Sequence, residues 1–362
     1  MQRSVFYLAG YDPRTARHYY SIFKKNLNIY NNLHKTQYKL SKNSHNSWQI
    51  LAQDCQTTYN VLLWNDIVRQ NWHEGFIGIM KDMCLFARFY FLNLLFIQFF
   101  KLNKGAFIAG LYPFLYIAFS YFLVFFLAYL FFIFISNIYL ALVLSLIFIY
   151  FGNKLVIKIG KATASLWILR ICVFAALLSK GKIENIEQRC DEFAQRIIKQ
   201  LRQNQDFELI LCAHSVGTML LIPVLYKILQ AKDELNLDKL KILSLGECIP
   251  LLSLHKNAQS FREQLEFIAS KSLFWLDFTS KIDGACFYKL NFLKLANVKK
   301  INLKIHFLSA AFYKLYEKEE YRKIRKNLYR VHFLYLEAVR KKDGIYDFFN
   351  FIVDKKTLEE KI

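Results

Sequence analysis

Residues 105–153 contain no Asp, Glu, Lys, Arg or His. About 20 apolar residues suffice for one helical crossing of a bilayer, so this stretch is long enough for two. A soluble protein would need a core deep enough to hide its apolar surface on every side. The polar pair Ser136-Asn137 is the natural turn, which predicts one helix over about 107–135 and a shorter one over about 138–151. Lys101 and Lys104 precede the hairpin, Lys154, Lys158 and Lys161 follow it, and its turn carries no basic residue. The positive-inside rule then puts both flanks and both termini in the cytoplasm, as in a multi-pass protein of the inner membrane.

The neighbouring apolar runs are less clean. Residues 84–100 include Arg88, Asn93 and Gln98, and residues 155–178 include Lys158, Lys161 and Arg170. Both read as interfacial helices along the headgroups, anchored by Tyr90 and Trp167. The composition agrees with a lipid environment for this region. The chain is 55% hydrophobic and 17% aromatic, and 17 of its 35 Phe fall between residues 84 and 151, a dense cluster for that share of the chain. Its net charge of +21 suits either nucleic acid or an anionic membrane surface. No zinc-finger spacing, RNP-like aromatic strand or basic heptad pattern accompanies that charge, so the membrane surface is the expected partner and nucleic acid is not. The seven Cys (Cys55, Cys84, Cys172, Cys190, Cys212, Cys248, Cys286) are scattered, with no CxxC and no Cys/His cluster. Neither a disulfide framework nor a metal or cofactor site is implied. Residues 1–10 lack the apolar length of a signal-peptide core.

Outside the membrane segment the pattern alternates between strands and helices. Compact apolar runs at 4–9, 48–52, 59–64, 207–212, 241–246, 273–278 and 301–307 read as strands, and 14–33, 183–202 and 216–230 as helices. That order predicts an α/β fold with a mostly parallel sheet and crossover helices, interrupted by a transmembrane hairpin. The expected organisation is an N-terminal part of the α/β domain over 1–80, a membrane insertion over 81–180, and the C-terminal part over 181–362.

The sharpest local signal runs from Leu209 to Thr218: apolar strand, Ala213, His214, Ser215, Val216, Gly217, then helix. Small residues two positions either side of a Ser allow a strand to turn sharply into a helix with the Ser at the tip. The helix also aims its N-terminal amides at the Ser oxygen, where acyl transfer develops negative charge. Read more plainly, Ser215 is a helix N-cap. His214 packs beside the turn, since its side chain points away from that of Ser215.

This segment resembles the nucleophile elbow of the α/β-hydrolases, G-x-S-x-G, with Ala213 in place of the first Gly. The resemblance implies a lipase- or esterase-like fold with a triad in the order Ser, Asp, His. The Asp is then Asp283, in a loop that resembles the Asp-bearing loop of lipases, with Asp277 as its rival; the His is His332, with His306 as rival and His255 too early in the chain. The plain readings are a turn former beside Gly284 for Asp283 and an ordinary helical residue in the basic stretch 314–342 for His332. The oxyanion donors it implies are the amide of Val216 and the loop Gly10-Tyr11. The chain also resembles uncharacterised bacterial membrane-anchored, hydrolase-like proteins through Gly10-Tyr11-Asp12-Pro13-Arg14, Trp64-Asn65-Asp66-Ile67-Val68-Arg69 and His332-Phe333-Leu334-Tyr335. Asp66 and Arg69 are expected to form a structural ion pair. The function expected from these features is a membrane-anchored serine hydrolase acting on a lipid-like ester; an acyltransferase with the same triad and a non-catalytic scaffold of the same fold are the alternatives.

Overall fold

A computed structural model describes residues 1–102, 104–203, 207–231 and 235–362. It divides into two compact units, Met1–Asn71 with Leu177–Ile362, and Trp72–Ala176. Along the chain lie β1 (Gln2–Leu8), α1 (Ala16–His34), β2 (Lys39–Ser44), β3 (Ser47–Leu51), β4 (Gln56–Leu62) and α2 (Asn65–Gln70). Then come α3 (Gly75–Phe86), α4 (Leu95–Leu102), α5 (Lys104–Phe134), α6 (Ile138–Ala162) and α7 (Ser165–Leu178). The chain continues with α8 (Ile186–Leu201), β5 (Glu208–His214), α9 (Gly217–Leu229), β6 (Leu240–Leu245), α10 (Ile249–Ser253), α11 (Gln259–Ala269) and β7 (Phe274–Thr279). It ends with α12 (Phe292–Leu295), β8 (Lys304–Ser309), α13 (Phe312–Leu315), α14 (Lys318–Ile324), α15 (Leu328–Phe333) and α16 (Phe348–Val353).

The first unit is an α/β fold around one eight-stranded sheet, ordered β2-β3-β4-β1-β5-β6-β7-β8. From β4 to β8 every neighbouring pair is parallel, and β3 and β2 pair antiparallel at one end. The central strands are buried along their whole length, β5 at all seven positions, which is why they read as unbroken apolar runs and not as alternating ones. One face packs Tyr7, Tyr59, Cys212, Leu243 and Leu276 against α1 and the aromatic C-terminal helix α16. β2 was not expected, because its sequence is polar and it lies exposed at the sheet edge. β8 starts three residues late, since the amides of Asn302 and Leu303 bond Ala269 O before the strand begins.

Among the described residues the second unit holds two helices long and apolar enough to cross a membrane, Phe107–Phe134 and Ile138–Ala162. Only 17% of each apolar window is buried, so Phe119, Phe122, Phe134, Tyr139 and Leu146 face outward. The polar groups between the helices pair internally, as a hydrocarbon surrounding requires. Ser145 donates to Ala128 O at 2.9 Å and Tyr121 to Asn153 at 2.7 Å. Asn137 sits in the turn, accepting the amides of Tyr139 and Leu140.

This unit departs from the sequence reading at several points. The second hairpin helix runs to Ala162, not 151, because Lys154, Lys158 and Lys161 are good helix formers whose ammonium groups can reach outward. Residues 155–178 are therefore not one interfacial helix. The chain breaks at Ala164, in the left-handed region at φ 59°, and α7 then buries every residue from Ser165 to Ala176, leaving no polar face for headgroups. Tyr90 and Trp167 are interior residues and not surface anchors; Tyr90 is fully buried and donates to Cys172 O at 2.9 Å. The run 84–100 is likewise bent, with Gly75–Phe91 and Leu95–Leu102 meeting at 70°. The inserted unit begins at Trp72, earlier than 81, since Phe76 packs on Tyr121 and Phe86 on Phe114.

Candidate active site

The residues singled out in the sequence gather at the C-terminal ends of β1, β5, β6 and β7 in the first unit. Ser215 follows β5 and holds a left-handed backbone, φ 57°, a conformation that costs an L-residue about 1–2 kcal/mol. The strain is set by its surroundings: its amide donates to Leu245 O of β6 at 2.9 Å, and Thr218 Oγ1 donates to its carbonyl at 2.6 Å. The turn has no room for larger neighbours. A Cβ on Gly217 would lie 2.5 Å from Leu8 O and 2.7 Å from Ala9 O, so only glycine lets α9 start this close to β1. Val216, not Ser215, occupies the N-cap of α9, and no side chain caps that helix. The Ser215 hydroxyl is thus not used as a cap; it lies 4.0 Å from Cys248 Sγ.

The loop after β1 presses on the same residue. A Cβ at Gly10 would meet Ser215 Cβ at 2.9 Å and Oγ at 3.3 Å. Trp64 Nε1 donates to Ala9 O at 2.9 Å, and the Tyr11 hydroxyl donates to Asn71 O at 2.6 Å, so the loop is held at both ends. The amide of Val216 lies in the first turn of α9, where N–H groups have no carbonyl one turn back to bond.

Asp283 and His332 meet directly. His332 Nδ1 lies 3.0 and 2.9 Å from the two oxygens of Asp283, and both side chains are about 1% exposed. Burial works to raise the Asp283 carboxyl, yet His332 and the Ala285 amide hold it below the ordinary carboxylate value. The short loop around Asp283 is stitched to itself, with the Asp283 amide on Ser280 O and the Cys286 amide on Asp283 O. Gly246, at φ 58°, makes space for it; a Cβ there would be 3.2 Å from Asp283 Oδ2 and 2.8 Å from the Tyr335 ring. His214 stacks on His332 with ring centroids 4.7 Å apart and its Nε2 donates to His332 O at 2.9 Å. Burial, with His332 beside it, pushes His214 down to about 3, so its ring is neutral and serves as packing.

The rivals lie elsewhere. Asp277 is inside the sheet, accepting from Ser244 at 2.5 Å, while Ser244 accepts from Trp275 Nε1 at 2.7 Å. His306 is on the edge strand β8, exposed and packed on Phe274. His255 sits in the α10–α11 connection, where burial and Lys180 push it down to about 4. Asp66 and Arg69 do not pair: Asp66 binds Arg189 at 2.7 Å, and Arg69 Nε donates to Pro13 O at 2.9 Å, because α2 turns the two side chains toward different neighbours. Sequence reasoning missed Gly246, Cys248 and Thr218. A glycine directly after β6 was a usable signal for the first, whereas Cys248 and Thr218 matter only through the packing of α9 and α10. Among the described residues no cluster of His, Cys, Asp or Glu could hold a metal ion.

Comparison with protein-family models, curated proteins and solved structures finds nothing that matches this chain.

Proposed function

We propose that the protein is a membrane-anchored serine hydrolase of α/β-hydrolase type that cleaves a lipid-like acyl ester, with Ser215 as nucleophile, His332 as base and Asp283 as the group that orients it. The observation that carries this reading is the strained Ser215 at the tip of a strand–helix turn, whose neighbour His214 packs on the His332 of a buried His332–Asp283 pair, in the order Ser, Asp, His along the chain. Ser215 Oγ attacks the ester carbonyl as its proton passes to His332 Nε2. His332 then protonates the leaving alcohol, and water releases the acyl group by the reverse transfers. The amides of Val216 and the Gly10-Tyr11 loop are the expected donors to the oxyanion, with Gly10 bare so that the backbone can come close.

The apolar helices Phe107–Phe134 and Ile138–Ala162 support the substrate class, because an apolar ester is concentrated in a bilayer and dilute in water. A cavity of about 600 Å³, a volume typical of ligand sites, lies along α9 between the apolar Met219, Leu220, Pro223 and Phe261 and the polar Lys180 and Glu187, and none of the triad residues lines it. The basic residues around the hairpin favour the cytoplasmic leaflet and its anionic headgroups.

The test is labelling of the folded, membrane-embedded protein by a fluorophosphonate, which reacts only with an activated Ser. Ser215→Ala should abolish labelling with the fold intact, and Ser215→Gly should do the same while raising stability by about 1 kcal/mol, since glycine relieves the left-handed strain. One observation favours a second reading. Ser215 and His332 are 1% and 0% exposed, as they would be in a non-catalytic scaffold that retains the fold. A folded wild type that takes no label would favour the scaffold.

A further inference from the structure

The segment Tyr11-Asp12-Pro13-Arg14 does more than follow β1. Asp12 is buried and accepts from the Arg14 amide at 3.0 Å, from Arg14 Nε at 2.7 and 2.9 Å, from Arg14 Nη2 at 2.5 Å and from the Tyr19 hydroxyl at 2.9 Å. The carboxylate thus has its charge met within one loop and the start of α1, and the guanidinium is held in one plane. The same guanidinium lies over two rings of α15, 5.4 Å from the centroid of Tyr329 and 5.2 Å from that of Phe333, and its Nη2 donates to the Tyr329 hydroxyl. Phe333 directly follows His332 and packs 5.3 Å from the His214 ring. One side chain therefore joins the loop that touches Ser215 to the helix that carries His332.

We propose that Arg14 is a positioning residue, clasping the Gly10–Asp12 loop to α15 so that the oxyanion donors and the base keep one spacing. This rests on the reading of Ser215 as nucleophile for its catalytic consequence, and on geometry alone for the clasp itself. A surface ion pair would do little. Arg14 instead combines a bidentate bond to a buried carboxylate with stacking on two rings, which lysine cannot reproduce.

Two measurements on the full-length protein in lipid nanodiscs test it. Hydrogen exchange should rise together in residues 10–15 and 328–334 in Arg14→Ala, in Arg14→Lys and, more weakly, in Tyr329→Phe, which removes only one acceptor and keeps the fold. The rate of fluorophosphonate labelling should fall about 10- to 100-fold in Arg14→Ala. For a small soluble ester, kcat should fall while KM stays within about twofold of wild type. If exchange rises only in residues 10–15, the clasp is absent and the proposal is overturned, whatever the label shows. If both segments loosen and labelling keeps its wild-type rate, Arg14 does not position the chemistry and the proposal is likewise overturned. If both loosen and the wild type itself takes no label, the clasp stands and the nucleophile reading is what fails.

Discussion

Asp277 and Glu247 are two fully buried carboxyls, one in β7 and the other just after β6. Glu247 accepts the Ile249 amide at 2.8 Å, and Asp277 accepts from Ser244. Burial raises both groups, Asp277 to about 7 and Glu247 well above its ordinary value, with Asp277 adding to the latter. A carboxyl whose folded value is raised binds its proton more tightly when folded. Its stabilisation is complete below the unfolded value near 4 and is lost as pH rises through about 7. Thermal unfolding in nanodiscs should therefore show the midpoint falling between pH 5 and pH 8, and Asp277→Asn should flatten that fall. Asp283 runs the other way. Held low by His332, it contributes stability above its unfolded value and loses it only as pH drops further into the acid range. An equal fall in Asp277→Asn would assign the pH dependence to another group.

At the level of elements, β1 and β5 are joined by more than their ladder. Arg3 stands opposite Glu208 in the register, and its Nε donates to Glu208 at 2.6 Å with both side chains almost wholly buried. Arg3 also donates to Asp354 O at 2.7 Å and Lys356 O at 2.6 Å, and Glu208 accepts the Leu358 amide at 2.6 Å, so the pair fastens the C-terminal segment to the middle of the sheet. Removing one partner leaves a buried charge uncompensated, which typically costs about 3–5 kcal/mol. Glu208→Ala should lower stability by that order in a denaturant titration, whereas the exposed pair Arg322–Glu319 should contribute less than about 1 kcal/mol. The strand assignments were legible because β1 and β5–β7 carry apolar runs that a parallel sheet buries on both faces. β2 was not legible: Lys39-Leu40-Ser41-Lys42 has nothing apolar to repeat, and only pairing with β3 makes it a strand.

For the whole molecule, the order of parts predicts topology. The two units alternate along the chain, and the turn at Asn137 is far in sequence from both termini. With Lys101, Lys104, Lys154, Lys158 and Lys161 on the opposite ends of the two apolar helices from that turn, the turn should face outside and both termini the cytoplasm. A Cys engineered at Asn137 in a variant lacking exposed Cys84 should react with an impermeant maleimide on intact cells, and a Cys at either terminus should not. Labelled termini would reverse the topology.

Two properties were decided by sequence alone, since each depends on a local run of residues. The absence of charge over residues 105–153 dictates a pair of lipid-length helices, and the apolar run into small residues around Ser215 marks a strand–helix turn. The pairing of Asp283 with His332 was proposed from chain order and a family likeness, but order is silent on distance. Tertiary structure separated Asp283 from Asp277, because a loop side chain can reach across to α15 whereas one in the sheet is already bonded to its neighbour strand. It also turned Tyr90, Trp167 and Arg170 inward, which no hydropathy window can show, since burial depends on partners far away in the chain. The bond from Trp64 to Ala9 and the stacking of Arg14 on Phe333 arise the same way: each joins segments that only the folding of the sheet brings within reach.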